Sequence, residues 1–178
     1  MLHVLVSACL LGEKVRYNGA DSLSAHPVLR TWLAEGRVVP FCPELAGGLG
    51  VPRPPAEIQG GSGEAVLDGI SRIVTNAGID VTDAFVRGAA LAAETARARG
   101  VRVAILKDGS PSCGSARIAD GSFSGTKRPG RGVTAALLER EGVRVFSEHE
   151  IDAAAGYLRE LEDQPSRDLS RRSLGEGG

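Results

Sequence analysis

Three cysteines, Cys9, Cys42 and Cys113, are the only thiols of this chain, and each stands where a β-rich run gives way to a loop. Thiolates are soft ligands that favour zinc or iron–sulfur clusters over hard cations. Three of them converging on one centre leave a coordination position open, which marks catalysis rather than structural support. Neither a paired C-x-x-C spacing nor a ferredoxin-type run is present, so spacing alone does not choose the metal. Taken singly, a cysteine is most often a small buried hydrophobe. Cys42, however, precedes Pro43 and Glu44 at a loop start. Cys113 lies in Ser110-Pro111-Ser112-Cys113-Gly114, a small-residue setting that makes a poor apolar core.

Other candidates flank the thiols. Glu44, two residues beyond Cys42, can serve as general acid or base if its pKa moves toward neutrality. Ser110, Ser112 and Ser115 offer hydroxyls, although serines in such runs often only form turns. Lys107 either positions a ligand or closes a strand end. Arg53, Lys127, Arg128 and Arg131 can together hold one phosphate. Gly130-x-Gly132-x-x-Ala135 has the form of a dinucleotide fingerprint, but a loop rather than a strand precedes it. A helix start near basic groups there can still receive a phosphate or carboxylate. His3, His26 and His149 are remote from the cysteines in sequence and suit surface or capping roles.

For three distant thiols to meet, one edge of one sheet must carry them. Residues 2–8, 38–42, 101–107 and 143–146 read as strands, and 26–35, 80–99, 133–141 and 148–161 as helices. Thr82 or Asp83 can cap the second helix and Ser147 the last; Gly36, Gly100 and Gly142 close the first three. Alternation of strand and helix predicts a single-domain, doubly wound (Rossmann-like) α/β fold, with a mostly parallel sheet and helices on both faces. The three cysteines then fall at the carboxyl ends of the strands, where such folds bind ligands. Residues 44–63 and 108–132 read as long loops, and 70–75 as a short extended piece. The domain spans residues 1–162, and a Ser/Arg/Gly-rich tail, 163–178, is expected to be disordered.

Composition narrows the function classes. At 178 residues, with 42% hydrophobic and 24% charged residues, the chain suits one ordinary globular domain. A formal net charge of -1 argues against general nucleic-acid binding, and 4% aromatics argue against a base-stacking platform. Val6-Ser7-Ala8-Cys9 loosely imitates a lipoprotein cleavage site, but no Lys or Arg opens this short apolar segment. No run approaches the roughly 18 apolar residues of a membrane span. An odd number of cysteines in a chain of this size points to reduced thiols and a cytoplasmic protein.

Ordered motifs extend the reading. These are Ser7-Ala8-Cys9-Leu10-Leu11-Gly12, Arg16-Tyr17-Asn18-Gly19, Phe41-Cys42-Pro43-Glu44 and Gly47-Gly48-Leu49. They continue with Pro52-Arg53-Pro54-Pro55-Ala56-Glu57-Ile58, Lys107-x-x-Ser110-Pro111-Ser112-Cys113-Gly114, Gly121-Ser122-Phe123-Ser124-Gly125 and Gly130-x-Gly132-Val133-Thr134-Ala135. With them the chain resembles the TudS-like thiouracil desulfidase family from about Leu2 to Glu150. The resemblance implies a [4Fe-4S] cluster held by Cys9, Cys42 and Cys113, with the fourth iron open to substrate sulfur. It places Glu44 and Ser110 beside the cluster as catalytic groups. Arg16, Tyr17, Asn18, Arg53, Glu57, Lys107 and Ser112 fall in motifs expected to bind substrate; Asn18 stands where many relatives carry Asp. The implied reaction is hydrolytic, non-redox removal of sulfur from a thiolated pyrimidine such as 4-thiouracil, giving uracil and hydrosulfide. The partner is then a small thiolated base or nucleotide, not a membrane; near-neutral charge weighs against a large RNA such as tRNA. Read from the residues alone, a zinc-thiolate hydrolase and a non-catalytic iron–sulfur sensor stay open as alternatives.

Overall fold

A computed structural model of the chain describes residues 1–164. Its elements run β1 (Val4–Ser7), α1 (Pro27–Ala34), β2 (Val38–Phe41), α2 (Pro43–Ala46), β3 (Ala56–Gln59), α3 (Gly63–Leu67) and β4 (Arg72–Thr75). They continue with α4 (Thr82–Ala98), β5 (Val103–Leu106), β6 (Arg117–Ala119), β7 (Lys127–Pro129), α5 (Val133–Arg140), β8 (Arg144–Ser147) and α6 (Ile151–Asp163). The expected tail begins inside α6 at residue 163, and its part from 165 to 178 lies outside the described residues.

The central sheet has the order β2-β1-β5-β8, with every pair parallel. Continuous apolar runs form these strands because both faces are covered. Val4, Val6, Val103, Ile105 and Phe146 face Leu29 and Trp32 of α1 and Ile151, Ala154 and Leu158 of α6. Leu5, Ala104 and Leu106 face Ala93 and Ala96 of α4 and Ala135 and Leu138 of α5. The doubly wound α/β architecture expected from the alternation of elements is therefore present. Chain order reverses between β1 and β5: β2 lies on one side of β1, whereas β5 and β8 follow on the other. A crevice opens beyond the carboxyl ends of strands at such a switch point.

Two long segments differ from the expectation of loops. Residues 44–63 contain most of α2 and all of β3, and β3 pairs antiparallel with β4 from Ala56↔Thr75 to Gln59↔Arg72. Ile58 and Ile73 on this ribbon join Val66, Phe85, Ala89, Ile118 and Val133 in a second, smaller core. Residues 108–132 contain the β6–β7 ribbon, which contributes Ile118. Single apolar residues among Gly, Pro and Ser carry too little periodicity to announce a strand. Capping also differs: Thr82 lies inside α4, where its hydroxyl accepts from Ile73 N at 2.9 Å, and Ser147 accepts from His149 N at 3.3 Å, one turn before α6.

Two glycines set the position of α2 against α4. A Cβ on Gly88 would lie 2.0 Å from the Pro43 carbonyl oxygen, and one on Gly47 2.0 Å from that of Ala84. Backbone cannot yield by that much without moving the helix. Gly88→Ala, normally favourable in a helix interior, is therefore expected to destabilise the protein by about 1–3 kcal/mol. It should also displace Cys42 and Glu44; thermal melts and metal content of the variant check both effects.

Candidate active site

The crevice is a cavity of about 460 Å³ lined by Cys9, Cys42 and Cys113 together. Each thiol arrives by a different route. Cys9 follows β1 in the 3-10 turn Ala8–Leu11, Cys42 caps α2 beyond β2, and Cys113 sits in the loop after β5. Cys9 and Cys113 are buried and Cys42 is half-buried, and none forms a disulfide. Burial pushes the Cys9 thiol up to about 11; nearby Cys42 adds to this, while Arg16 and Lys107 pull it back. Burial raises Cys113 further still, followed by the Glu44 charge, against a hydrogen bond with the Ser7 hydroxyl. Cys42 is raised by burial and eased by the amides of Leu45 and Glu44 directed at its sulfur. Mutual Coulomb effects among all three sulfurs reflect their common placement.

Glu44 is the carboxyl of the cavity. It projects from the first turn of α2, and its side chain is only 14% exposed. Burial raises its pKa above the ordinary range, opposed by the Arg53 guanidinium. Arg53 Nε donates to Glu44 Oε2 at 2.7 Å, and Nη2 completes the ion pair. Arg53 Nη1 and Nη2 also donate to the carbonyls of Gly50 and Val15, each at 3.0 Å. All three nitrogens of this guanidinium therefore bond to protein, with one Nη1 N–H left over. Arg53 lines the cavity as the anchor of Glu44, not as a free phosphate ligand.

The Cys113 loop is built from backbone amides. Ser110 Oγ accepts from Cys113 N at 2.7 Å, so this cavity-lining hydroxyl also shapes the turn. Asp108 Oδ1 accepts from the amides of Ser115, Ala116 and Arg117 at 3.1–3.2 Å. The start of α5 closes the same loop: Gly132 N, Val133 N and Thr134 N donate to the carbonyls of Gly114, Pro111 and Ser112. A Cβ on Gly132 would stand 2.4 Å from the Ser112 carbonyl. The fingerprint-like glycine is thus a close-packing site, and its amides serve the cysteine loop instead of an anion. Asp108→Ala would leave three amides without their acceptor. It is expected to cost about 1–3 kcal/mol of stability, read from denaturant unfolding.

Of the residues expected at the site, Arg16, Tyr17, Arg53, Glu57 and Lys107 line the cavity with the cysteines, Glu44 and Ser110. Glu57 also accepts from Phe123 N at 3.0 Å, pinning the 121–125 turn. Two residues are placed elsewhere. Ser112 is fully buried, with its hydroxyl 2.9 Å from that of Thr134, and Asn18 spends its side-chain oxygen on Ala20 N at 3.0 Å. Among the basic residues of the 127–131 segment, Lys127 also lines the cavity, and all three make contacts within the protein. Lys127 Nζ donates to Gly109 O, Arg128 to Gly61 O, and Arg131 pairs with Glu64 at 3.2 Å. His26 caps α1, its Nδ1 accepting from Val28 N, and His149 is exposed. Ser7, Asp108 and Glu148 were not singled out from sequence. Their partners lie 100, 7 to 9 and 40 to 41 residues away, and a strand-end position was the only local sign.

With this geometry established, similarity to known proteins gains a structural context. A sequence profile described as 2-thiouracil desulfurase matches residues 4–150, most of the described chain. The uncharacterized protein YbbK of Bacillus subtilis (strain 168) is 49% identical over 149 residues, covering 84% of this chain and 97% of YbbK. A solved structure of the [4Fe-4S]-dependent thiouracil desulfidase TudS superposes with a TM-score of 0.83 at 48% identity. That match covers 90% of this chain and 99% of TudS. The aligned span contains β1 through β8, all three cysteines and Glu44. The chain belongs to the 2-thiouracil desulfurase family.

Proposed function

We propose that this protein removes sulfur from a thiolated pyrimidine such as 4-thiouracil by hydrolysis, giving uracil and hydrosulfide, in the cytoplasm. The observation that carries this reading is the meeting of three thiols from three strand ends in one cavity that also holds a buried carboxyl. Among the described residues no three His, Cys, Asp or Glu side chains close on a single ion. An all-thiolate ligand set suits zinc or an iron–sulfur cluster, and the cluster named for TudS favours the second. Cys9, Cys42 and Cys113 would hold a [4Fe-4S] cluster, consistent with the dependence named for TudS. Bound there with three protein ligands, such a cluster supplies a Lewis-acidic iron for a soft thiocarbonyl sulfur.

The protein's own groups supply the proton transfers. Glu44 in its carboxylate form takes a proton from the water that attacks the thiocarbonyl carbon, then returns it to the departing sulfur. One water enters and hydrosulfide leaves, the second water proton passing to solvent as the carbonyl forms, with no change in oxidation state. Arg53 holds the carboxyl in place, and burial raises its pKa above the ordinary carboxylate range. Ser110, Arg16, Tyr17, Glu57 and Lys107 border the same space and would orient the heterocycle.

The raised thiol pKa values give this site a pH signature. Each thiol must lose its proton on coordination. The ordinary thiol pKa is exceeded at all three positions, so protons compete with metal throughout neutral pH. Cluster loading should therefore improve as pH rises from about 6.5 to 8.5; visible absorbance after anaerobic reconstitution across that range measures it. The direct test of function is sulfide release from 4-thiouracil by the reconstituted protein. Absence of release, with the cluster present, would remove the proposed substrate.

A further inference from the structure

Beyond the residues assigned above, the end of β8 places a carboxylate behind two residues of the cavity wall, Lys107 and Asp108. Glu148 follows Ser147 directly, and its side chain is only 13% exposed. One oxygen accepts from Lys107 Nζ at 2.5 Å, and the other from Asp108 N at 2.8 Å. It thereby crosses from β8 to the end of β5, the strand that leads into the Cys113 loop. Lys107 Nζ also donates to the Asp108 carbonyl at 3.3 Å.

An ammonium has three N–H donors. Two are spent on Glu148 and Asp108, which leaves one for the cavity that Lys107 lines. The carboxylate also balances the ammonium's charge. Lys107 consequently offers a directed hydrogen bond without a net positive charge, matched to a neutral acceptor rather than to a phosphate. We propose that Glu148 is a positioning residue that presents Lys107 as a single hydrogen-bond donor to a carbonyl oxygen of the bound pyrimidine. The inference rests on the proposed function, since it takes the occupant to be a thiolated pyrimidine; its uracil product carries such oxygens too.

The test uses the full chain, anaerobically reconstituted, with uracil binding followed by calorimetry and 4-thiouracil turnover by sulfide release. Glu148→Gln keeps an oxygen for the Asp108 amide but removes the ion pair. It should weaken uracil binding and raise KM by about tenfold, while kcat moves far less and cluster absorbance per chain is unchanged. Lys107→Met should weaken uracil binding to a similar degree, and the double variant should be no worse than the poorer single one. Unchanged uracil affinity in either variant, losses that add in the double variant, or a fall in kcat at constant KM would overturn the inference. If Glu148→Gln does not fold, the Lys107→Met result alone decides, because that change leaves the Glu148–Asp108 contact intact. Wild-type protein that turns over 4-thiouracil isolates a failure of this inference from a failure of the proposed function. Wild-type protein that neither binds uracil nor releases sulfide would overturn both.

Discussion

Glu44→Gln is expected to lower kcat for 4-thiouracil by about 10²–10⁴-fold, the usual contribution of a positioned acid–base group. The amide fills the same space and still accepts from Arg53, but it cannot take a proton from water. Its position within α2 is fixed by the close approaches of Gly88 to Pro43 and Gly47 to Ala84 and by Arg53, so the effect should fall on chemistry and not on folding. Iron content and visible absorbance should match those of the unsubstituted protein. Turnover within severalfold of the unsubstituted protein would remove Glu44 from proton transfer and shift attention to Ser110.

Cys113→Ala should abolish both cluster binding and sulfide release. Cys113 is the most deeply buried of the three thiols by its surroundings, and its loop is held by Asp108, Ser110 and the first amides of α5. None of those backbone contacts uses the sulfur. Truncation to Ala therefore removes a ligand while costing about 1 kcal/mol of apo-protein stability, the scale of a small cavity. Circular dichroism and melting of the metal-free variant should remain close to the parent. A collapsed fold would assign Cys113 a packing role, and a retained brown chromophore would show that the cluster does not need it.

The parallel sheet was legible because its strands are dense β-branched and aliphatic runs. Val4-Leu5-Val6 and Val103-Ala104-Ile105-Leu106 have no competing helical period, and glycines close the intervening helices. At Gly100, φ is +61° and its amide returns to Arg97 O, the left-handed close expected after α4. Of the ribbons, β4 was legible as the extended piece at 70–75, whereas β3, β6 and β7 were not. Ile58 and Ile118 are buried only because distant segments fold over them, and neither has enough apolar neighbours in sequence to mark a strand.

The site divides in the same way. Cysteine positions followed from strand ends, and strand ends followed from local pattern. Cation roles did not, because they depend on partners far along the chain. Arg53 resembles a phosphate ligand until its bonds to Glu44, Gly50 and Val15 are counted. Arg128 and Arg131 give donors to a carbonyl and a carboxylate 67 residues away, whereas Lys127 gives one donor to Gly109 O and still lines the cavity. Ser112 shows the converse: a serine beside a functional cysteine points into the core toward Thr134. Residue type announced capacity for chemistry, but only the fold decided which way each group faced.

The central claim is that Cys9, Cys42 and Cys113 jointly hold one iron–sulfur cluster that desulfurates a thiobase. Parallel assay of iron, inorganic sulfide and zinc in anaerobically reconstituted protein, with sulfide release from 4-thiouracil, tests it most directly. Iron and sulfide in equal amounts, a brown chromophore and release that vanishes on replacing any one of the three cysteines are the expected results. A colourless zinc protein, or release that survives loss of a cysteine, would contradict the account.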